Sequence, residues 1–507
     1  MAATETPPHS VPGTRSGSGR GGAILRPEES RVVWLLLAAA FVAILNETTM
    51  GVAIPHLMGD LGITAVAAQW LTTAFMLTMA VVIPVTGFLL RRFTTRSMFV
   101  AAMTLFSLGT LIALVAPGFP VLVIARVVQA SGTAIMMPLL MTTLMTIVPP
   151  HARGRMMGRV SIVMSLAPAI GPTLAGFLLD TLSWRWIFGV VLPIALVALA
   201  MGAKWIHNLG ETTHAPIDTL SVVLSAFGFG GLVYGLSQIG GAERHEGGDQ
   251  AAASMATASL VVSLVVGVIA LTVFVLRQLK LQKVDDALLD LRVFRSRNFT
   301  LAISQLALLS AAFFGVITVL PLYLQSVLGV SSLDTGLAVL PGSLIMGLAG
   351  PFIGRVYDAR GTRTLLVPGA ILAIGMLWFY AVFFNATTPL WVVVIAQTVL
   401  ALGLALSFTP LFTASLASLE PRFYSYGSAI VGTAQQVAGA AGIAVMFTVM
   451  SAVTATATAS GASETVAGAA GAHAAFLLAA VVSLPLLVGA FLIRKPEDQE
   501  FDAPPAH

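Results

Sequence analysis

The sequence has no cysteine. That excludes a disulfide framework, an iron–sulfur cluster and any thiolate metal site. Charge is also scarce. Only 9% of the 507 residues are Asp, Glu, Lys or Arg, against about 25% in an average soluble domain. A soluble chain of this length could bury a large core, but this one has too little charge to cover its surface. No GxxxxGK(S/T) phosphate loop occurs, which argues against an ATPase. The eight histidines form no ligand cluster. No Ser, His and Asp share a credible depth for a hydrolase triad. No metal, no cofactor and no enzymatic activity are expected.

What the sequence does have is long apolar runs, such as "WLTTAFMLTMAVVIPVTGFLL" and "AAFLLAAVVSLPLLVGAFLI". Runs of about 18 or more apolar residues read as membrane-spanning helices. Fourteen spans are predicted near 32–55, 68–90, 98–116, 119–147, 157–180, 185–206, 217–239, 255–276, 299–327, 335–357, 364–384, 389–415, 427–452 and 473–493. The fold expected is an all-α integral membrane protein in contact with the lipid bilayer. Residues 1–30, rich in Pro, Gly, Ser and Arg, read as a disordered tail, and the hydrophobic segment after them as a retained helix rather than a signal peptide.

An even number of spans puts both termini on one side. If that side is cytoplasmic, 23 of the 26 basic residues are inside; Arg185 and Arg244 fall outside and Arg126 lies within a span. Cytoplasmic loops carry such an excess of Lys and Arg. The basic character is therefore a topology signal, and no nucleic-acid partner is expected.

An internal repeat divides the chain. Residues 84–96 read "PVTGFLLRRFTTR" and residues 351–363 read "PFIGRVYDARGTR", so Pro84, Gly87 and Arg96 recur as Pro351, Gly354 and Arg363 at one offset of 267. Both stretches leave a span for a basic loop, after the second and the tenth span. Two six-helix halves would put the second copy after the eighth. Two helices, 217–239 and 255–276, therefore read as an insertion. The predicted organisation is a tail (1–30), an N-terminal half (31–206), inserted helices with a linker (207–298), a C-terminal half (299–495) and a tail (496–507).

Five motifs in order resemble one family. They are Leu45-Asn46-Glu47-Thr48 with Val52-Ala53-Ile54-Pro55, then Pro84…Gly87-Phe88-Leu89…Arg91-Arg92-Phe93…Arg96. Arg126-Val127-Val128-Gln129-Ala130-Ser131-Gly132 follows, then Ala167-Pro168-Ala169-Ile170-Gly171-Pro172-Thr173-Leu174-Ala175-Gly176, and finally Trp184-Arg185-Trp186-Ile187-Phe188. From about Leu45 to about Val445 the chain resembles the fourteen-helix drug–proton antiporters of the major facilitator superfamily. The resemblance implies the major facilitator fold and multidrug efflux across the cell membrane. There are departures. Asn46 stands where many members have aspartate, and Arg91 and Thr94 stand where the loop motif has aspartate and glycine; the second copy keeps these at Asp358 and Gly361.

Glu47 is the only one of the 22 acidic residues placed deep in a span. An ionised side chain at mid-bilayer costs at least about 2.5–3.5 kcal/mol on insertion scales, so it should face a cavity or a partner. Burial disfavours a charged carboxyl and a nearby cation favours it, so a change of surroundings can load and unload a proton. Glu47 is therefore the expected proton-coupling or cation-binding group; the plainer alternative is a paired structural glutamate. Arg126 is its expected partner, since both lie roughly 10–12 Å from the outer ends of their helices by the helical rise. The alternative for Arg126 is a static contact to an ion or to backbone carbonyls.

The expected cavity residues are Asn46, Thr48, Gln129, Met136, Gln435 and Gln436. The expected gating residues are Gly87, Arg91, Arg92, Arg96, Gly354, Asp358, Gly361 and Arg363, with Arg91, Arg92 and Arg96 meeting Asp358 or Glu420 across the halves. Pro168, Gly171, Pro172 and Gly176 read as a bending or sliding seam, or as ordinary tight packing. The expected partners are small-molecule substrates and protons, and the expected state is a monomer. The function read from the resemblance is proton-coupled export of hydrophobic or amphipathic compounds. The rivals are a dedicated exporter of one endogenous metabolite, lipid or siderophore, a non-transporting receptor or scaffold, and a channel.

Overall fold

The computed structural model describes residues 26–63, 65–208, 218–242 and 250–494. No strand occurs among them, and fourteen stretches are long and apolar enough to cross a membrane. The span count read from hydropathy therefore holds. Helix is what the bilayer dictates, because every backbone N–H and C=O in its core needs a partner within the same segment.

The first six spans are α1 (Pro27–Leu61), α2 (Ala65–Arg92), α3 (Thr95–Leu114), α4 (Phe119–Ile147), α5 (Arg153–Thr181) and α6 (Arg185–Trp205). Two inserted helices follow, α7 (Thr219–Ala242) and α8 (Gln250–Leu281). The last six spans comprise α9 (Arg297–Leu322), α10 (Ser332–Leu348) with α11 (Gly350–Arg360), α12 (Arg363–Phe383), α13 (Leu390–Ala417), α14 (Tyr424–Ala459) and α15 (Glu464–Ser483) with α16 (Pro485–Leu492).

Two spans expected as single helices are thus broken. The breaks fall at Pro351 and Pro485, where proline removes a backbone donor. By contrast, α5 runs unbroken past Pro168 and Pro172; the Pro172 side chain lies outside the described residues. Helix α1 starts before the boundary expected for the tail, at Pro27, where the Arg26 amide donates to Glu29 Oε2 at 3.0 Å. Most of both tails and the loop 243–249 lie outside the described residues.

The inserted helices pair through glycine. A Cβ on Gly231 would meet Gly267 Cα at 2.9 Å. Helix α7 also lies against both α2 and α14, so it covers one of the two seams where the halves meet. The other seam, α5 against α10 and α11, has no such cover.

The end of the bundle bearing both described termini also bears most of the basic loops; we call it the basic end. Hydrogen bonds between the halves cluster there. Arg91 donates to the Tyr426 hydroxyl at 2.9 Å and Arg153 to the Tyr424 hydroxyl at 3.0 Å. Thr142 pairs with Ser428 at 2.9 Å and Ser161 with Thr409 at 2.6 Å. The halves are closed at this end.

Candidate functional site

Arg126 is buried in the first half with 1% of its surface exposed. Its NH1 donates to Asn46 Oδ1 at 3.0 Å and to Gln129 Oε1 at 2.6 Å. Its Nε points at the Leu71 carbonyl at 3.5 Å, and its guanidinium carbon sits 4.1 Å from the Phe75 ring centroid. Gln129 Nε2 donates on to Thr110 Oγ1 at 2.8 Å. One cation thereby ties α1, α2, α3 and α4 together through neutral acceptors and a ring face. A guanidinium stays protonated in proteins, so this charge is permanent.

The expected direct pairing of Arg126 with Glu47 is corrected here. The helices meet as expected, but Asn46 is the residue that reaches Arg126. Neighbours on a helix point about 100° apart. With Asn46 turned to α4, Glu47 is turned away. The two charges interact through space without forming an ion pair. Glu47 lies deep in the bundle yet keeps some accessible surface.

Three of the expected cavity residues are not accessible. Asn46, Gln129 and Met136 are buried, the first two by the Arg126 network and Met136 by the core between α1 and α4. Thr48 faces α5; its hydroxyl donates to the Leu45 carbonyl at 3.0 Å and lies 2.2 Å from where a Cβ on Gly171 would stand. Gly171 therefore sets the approach of α1 and α5. Gly176 does not act as expected, because a Cβ there would meet nothing within 4 Å. Gln435 and Gln436, on α14, keep accessible surface.

The gating residues form two contacts of different chemistry. At the α5–α11 seam, Asp358 Oδ1 accepts from Gly154 N and Oδ2 from Arg155 N, each at 2.8 Å. A carboxylate thus caps the N-terminus of α5, where unpaired N–H groups and the helix dipole favour negative charge. Backbones touch here: a Cβ on Gly354 would lie 2.0 Å from the Gly154 carbonyl, and one on Gly158 2.2 Å from the Gly350 carbonyl. Gly361 ends α11 at φ 78 and ψ −173, a region open to glycine alone.

At the α2–α14 seam, Gly87 again permits close approach, with Ala429 Cβ at 3.0 Å from its would-be Cβ. Here Arg91 leans on Tyr426, 5.1 Å from the ring centroid. Thr94, at the position of Gly361, is extended and caps α3 by accepting from Ser97 N at 3.2 Å. The expected pairing of these arginines with Asp358 or Glu420 is thus replaced: Asp358 turns to α5, and Glu420 pairs with Arg422 at 2.7 Å. Arg92 lies 5.9 Å from the Phe93 centroid, while Arg96 and Arg363 are exposed.

Some important residues gave no sequence signal, namely Tyr424, Tyr426, Phe75 and Gln397. The last has one in hindsight. Ile124-Ala125-Arg126 recurs as Ile395-Ala396-Gln397, so a neutral amide occupies the arginine's place in the second half, where it accepts from the Tyr380 hydroxyl at 2.7 Å. Trp184 is 1% exposed and lies under Arg185, which donates to the Ala116 carbonyl at 2.9 Å.

A family model for the Major Facilitator Superfamily matches residues 36–443. The chain is 41% identical over 469 residues to the uncharacterized MFS-type transporter YcnB of Bacillus subtilis (strain 168), spanning 92% of this chain and 96% of that one. It is 37% identical over 466 residues to the lincomycin resistance protein LmrB of the same organism, spanning 91% and 95%. Among solved structures, the human organic anion transporter MFSD10 (TETRAN) superposes with a TM-score of 0.63 at 14% identity, over 92% of this chain and 100% of that one. That likeness shows the fold.

Proposed function

The chain belongs to the major facilitator superfamily, and from that premise we propose that it is a proton-coupled exporter of hydrophobic or amphipathic compounds, cations among them. Members of the superfamily are multi-pass membrane transporters of small molecules, not enzymes. In this reading the protein acts as a monomer in the cell membrane with both termini cytoplasmic. The relative named for lincomycin resistance supports a toxic compound as cargo.

Glu47 carries the reading. It is the one acidic side chain at mid-depth of a span among the described residues, and it is accessible while the basic end is closed. With the basic end cytoplasmic, this is an outward-facing state, and Glu47 takes a proton from outside. Rocking of the halves then turns it towards the cytoplasm, where it releases the proton. A cationic substrate and a proton compete for one carboxylate, and that competition makes the process an exchange. Arg126, fixed by neutral groups, supplies a constant positive field nearby.

The test is transport by purified protein in liposomes holding an imposed proton gradient, with a fluorescent lipophilic cation as probe. The expected result is movement of the dye against its own gradient, with counterflow of protons. Saturable binding without accumulation would instead identify a receptor. Flux indifferent to the gradient would identify a channel. A panel of unrelated toxic compounds separates a broad exporter, which moves several, from a dedicated one.

A further inference from the structure

The α2–α14 seam has a third party. Residues 282–296 connect the inserted helices to α9, and part of this linker is buried at the basic end: Ala287 and Leu288 at 1%, Leu289 at 4%, Asp290 at 1% and Val293 at 1% exposure. The inserted helices hold it. Gln278 on α8, fully buried, donates to Ser221 on α7 at 2.7 Å, and its Oε1 accepts from Leu288 N at 2.8 Å and Leu289 N at 3.2 Å. Arg277 on α8 grips Asp218, at the foot of α7, through two bonds of 2.6 and 2.8 Å.

The linker in turn holds α14. The Tyr426 hydroxyl, which accepts from Arg91, donates to the Ala287 carbonyl at 3.1 Å. Asp290 accepts from Arg292 N at 2.9 Å and twice from its Nε at 3.0 Å, and caps the short turn Leu291–Arg295. Arg292 also pairs with Asp285 and stands 5.6 Å from the ring centroid of Phe423, just before α14. That guanidinium holds Asp285 below the usual carboxylate range. An arginine near a helix N-terminus opposes the helix dipole. Arg91 stands near that of α14, where the second copy of the motif has its aspartate. The linker brings Asp285 and Asp290 to the same place.

We propose that the linker is a latch: anchored on α7 and α8 through Gln278, it clamps α14 to α2 through the Ala287 carbonyl and Tyr426, supplying at this seam the closure that Asp358 gives the other. The inserted helices then do more than fill space, because they fix one of the two contacts that must separate when the basic end opens. The inference rests on the alternating-access reading.

The absence of cysteine makes the test direct, since labels can be introduced without background. Spin labels on Phe93→Cys and Pro421→Cys report the α2–α14 seam in lipid nanodiscs. Gln278→Leu and Tyr426→Phe are each expected to raise the separated population about fivefold, the scale of one or two lost hydrogen bonds. Gln278 touches neither α2 nor α14 through its bonds, so its effect on the seam must pass through the linker. Asp290→Asn, the milder change, is expected to act in the same direction if Gln278→Leu does not fold. A distance distribution unchanged by Gln278→Leu and Asp290→Asn, with Tyr426→Phe separating the seam, would overturn the latch and leave a direct Arg91–Tyr426 contact. No transport is measured, so failure of the exporter reading does not decide this result.

Discussion

At one seam between the halves a carboxylate caps a helix N-terminus. At the other, in the equivalent place of the repeated motif, an arginine leans on a tyrosine. Asp358 and Arg91 are 267 residues apart and occupy one motif position. Gly354 and Gly87, also equivalent, both bring helix backbones into contact. The two copies therefore share the glycine, which sets geometry, and differ at the charged position. At the arginine's seam the contacts come from elsewhere in the chain, namely Tyr426 and the linker carbonyl of Ala287. The repeat also diverges inside each half, where Arg126 gathers four helices and Gln397 meets one tyrosine.

The comparison can be broken most severely through its shared feature. Gly354→Val would push a side chain into the Gly154 carbonyl, and overpacking of this kind costs about 1–3 kcal/mol or more. Spin labels on His151→Cys and Arg360→Cys should show the α5–α11 seam held apart and transport at least tenfold slower. Gly176→Ala, with nothing near its would-be Cβ, should stay within about twofold of wild type; a comparable loss there would show that the small-residue stripe, not the seam contact, matters.

Next in size is the cap. Asp358→Asn removes the charge and one of the two accepted N–H bonds, and a cap together with a charge at a helix N-terminus is worth about 1–2 kcal/mol. The open fraction at the α5–α11 seam should rise about tenfold. Arg91→Asp would give both seams the same acid at the N-terminus of the facing helix. It also removes the Tyr426 bond that helps to close this seam and sets a third carboxylate beside Asp285 and Asp290, so the open fraction there should rise about threefold, the scale of one lost hydrogen bond. A fall instead would mean that the acid's match to the helix dipole outweighs that bond.

The smallest effect belongs to the inserted helices. The Arg277 guanidinium holds the Asp218 carboxyl down at about 2, against an ordinary 3.8. A depressed carboxyl stabilises the fold above its unfolded value and loses that contribution as pH falls through the folded one. The pair is therefore fully formed from pH 5 to 9. Asp218→Asn should lower stability by about 0.5–1 kcal/mol, the scale of a partly exposed ion pair, and leave the pH profile of transport unchanged over that range. A shifted profile would place a titrating step here.

The spans were legible because the bilayer writes its demand on local composition: an apolar run of the right length admits no other structure. The repeat gave the insertion. The depth match of Glu47 and Arg126 correctly paired α1 with α4. It could not resolve which of two adjacent residues faces α4, because depth carries no information about rotation about the helix axis. Met136 was read as a cavity residue because methionine surfaces adapt to varied ligands, but side-chain type does not say which way a residue faces, and Met136 is buried. Tyr426, Gln278 and Asp290 were invisible because their partners lie far away in sequence or in the backbone of a loop, and no local pattern marks such a contact.

The central claim is that Glu47 carries the coupled proton. The direct measurement compares wild type with Glu47→Gln in liposomes, once under a proton gradient and once in dye–dye exchange with no gradient. The account expects the variant to lose gradient-driven accumulation and proton counterflow while still exchanging dye for dye, since the cavity and the Arg126 network remain. A variant that still accumulates dye and moves protons as wild type does would contradict it, and Glu47 would then be a structural glutamate in an intact fold.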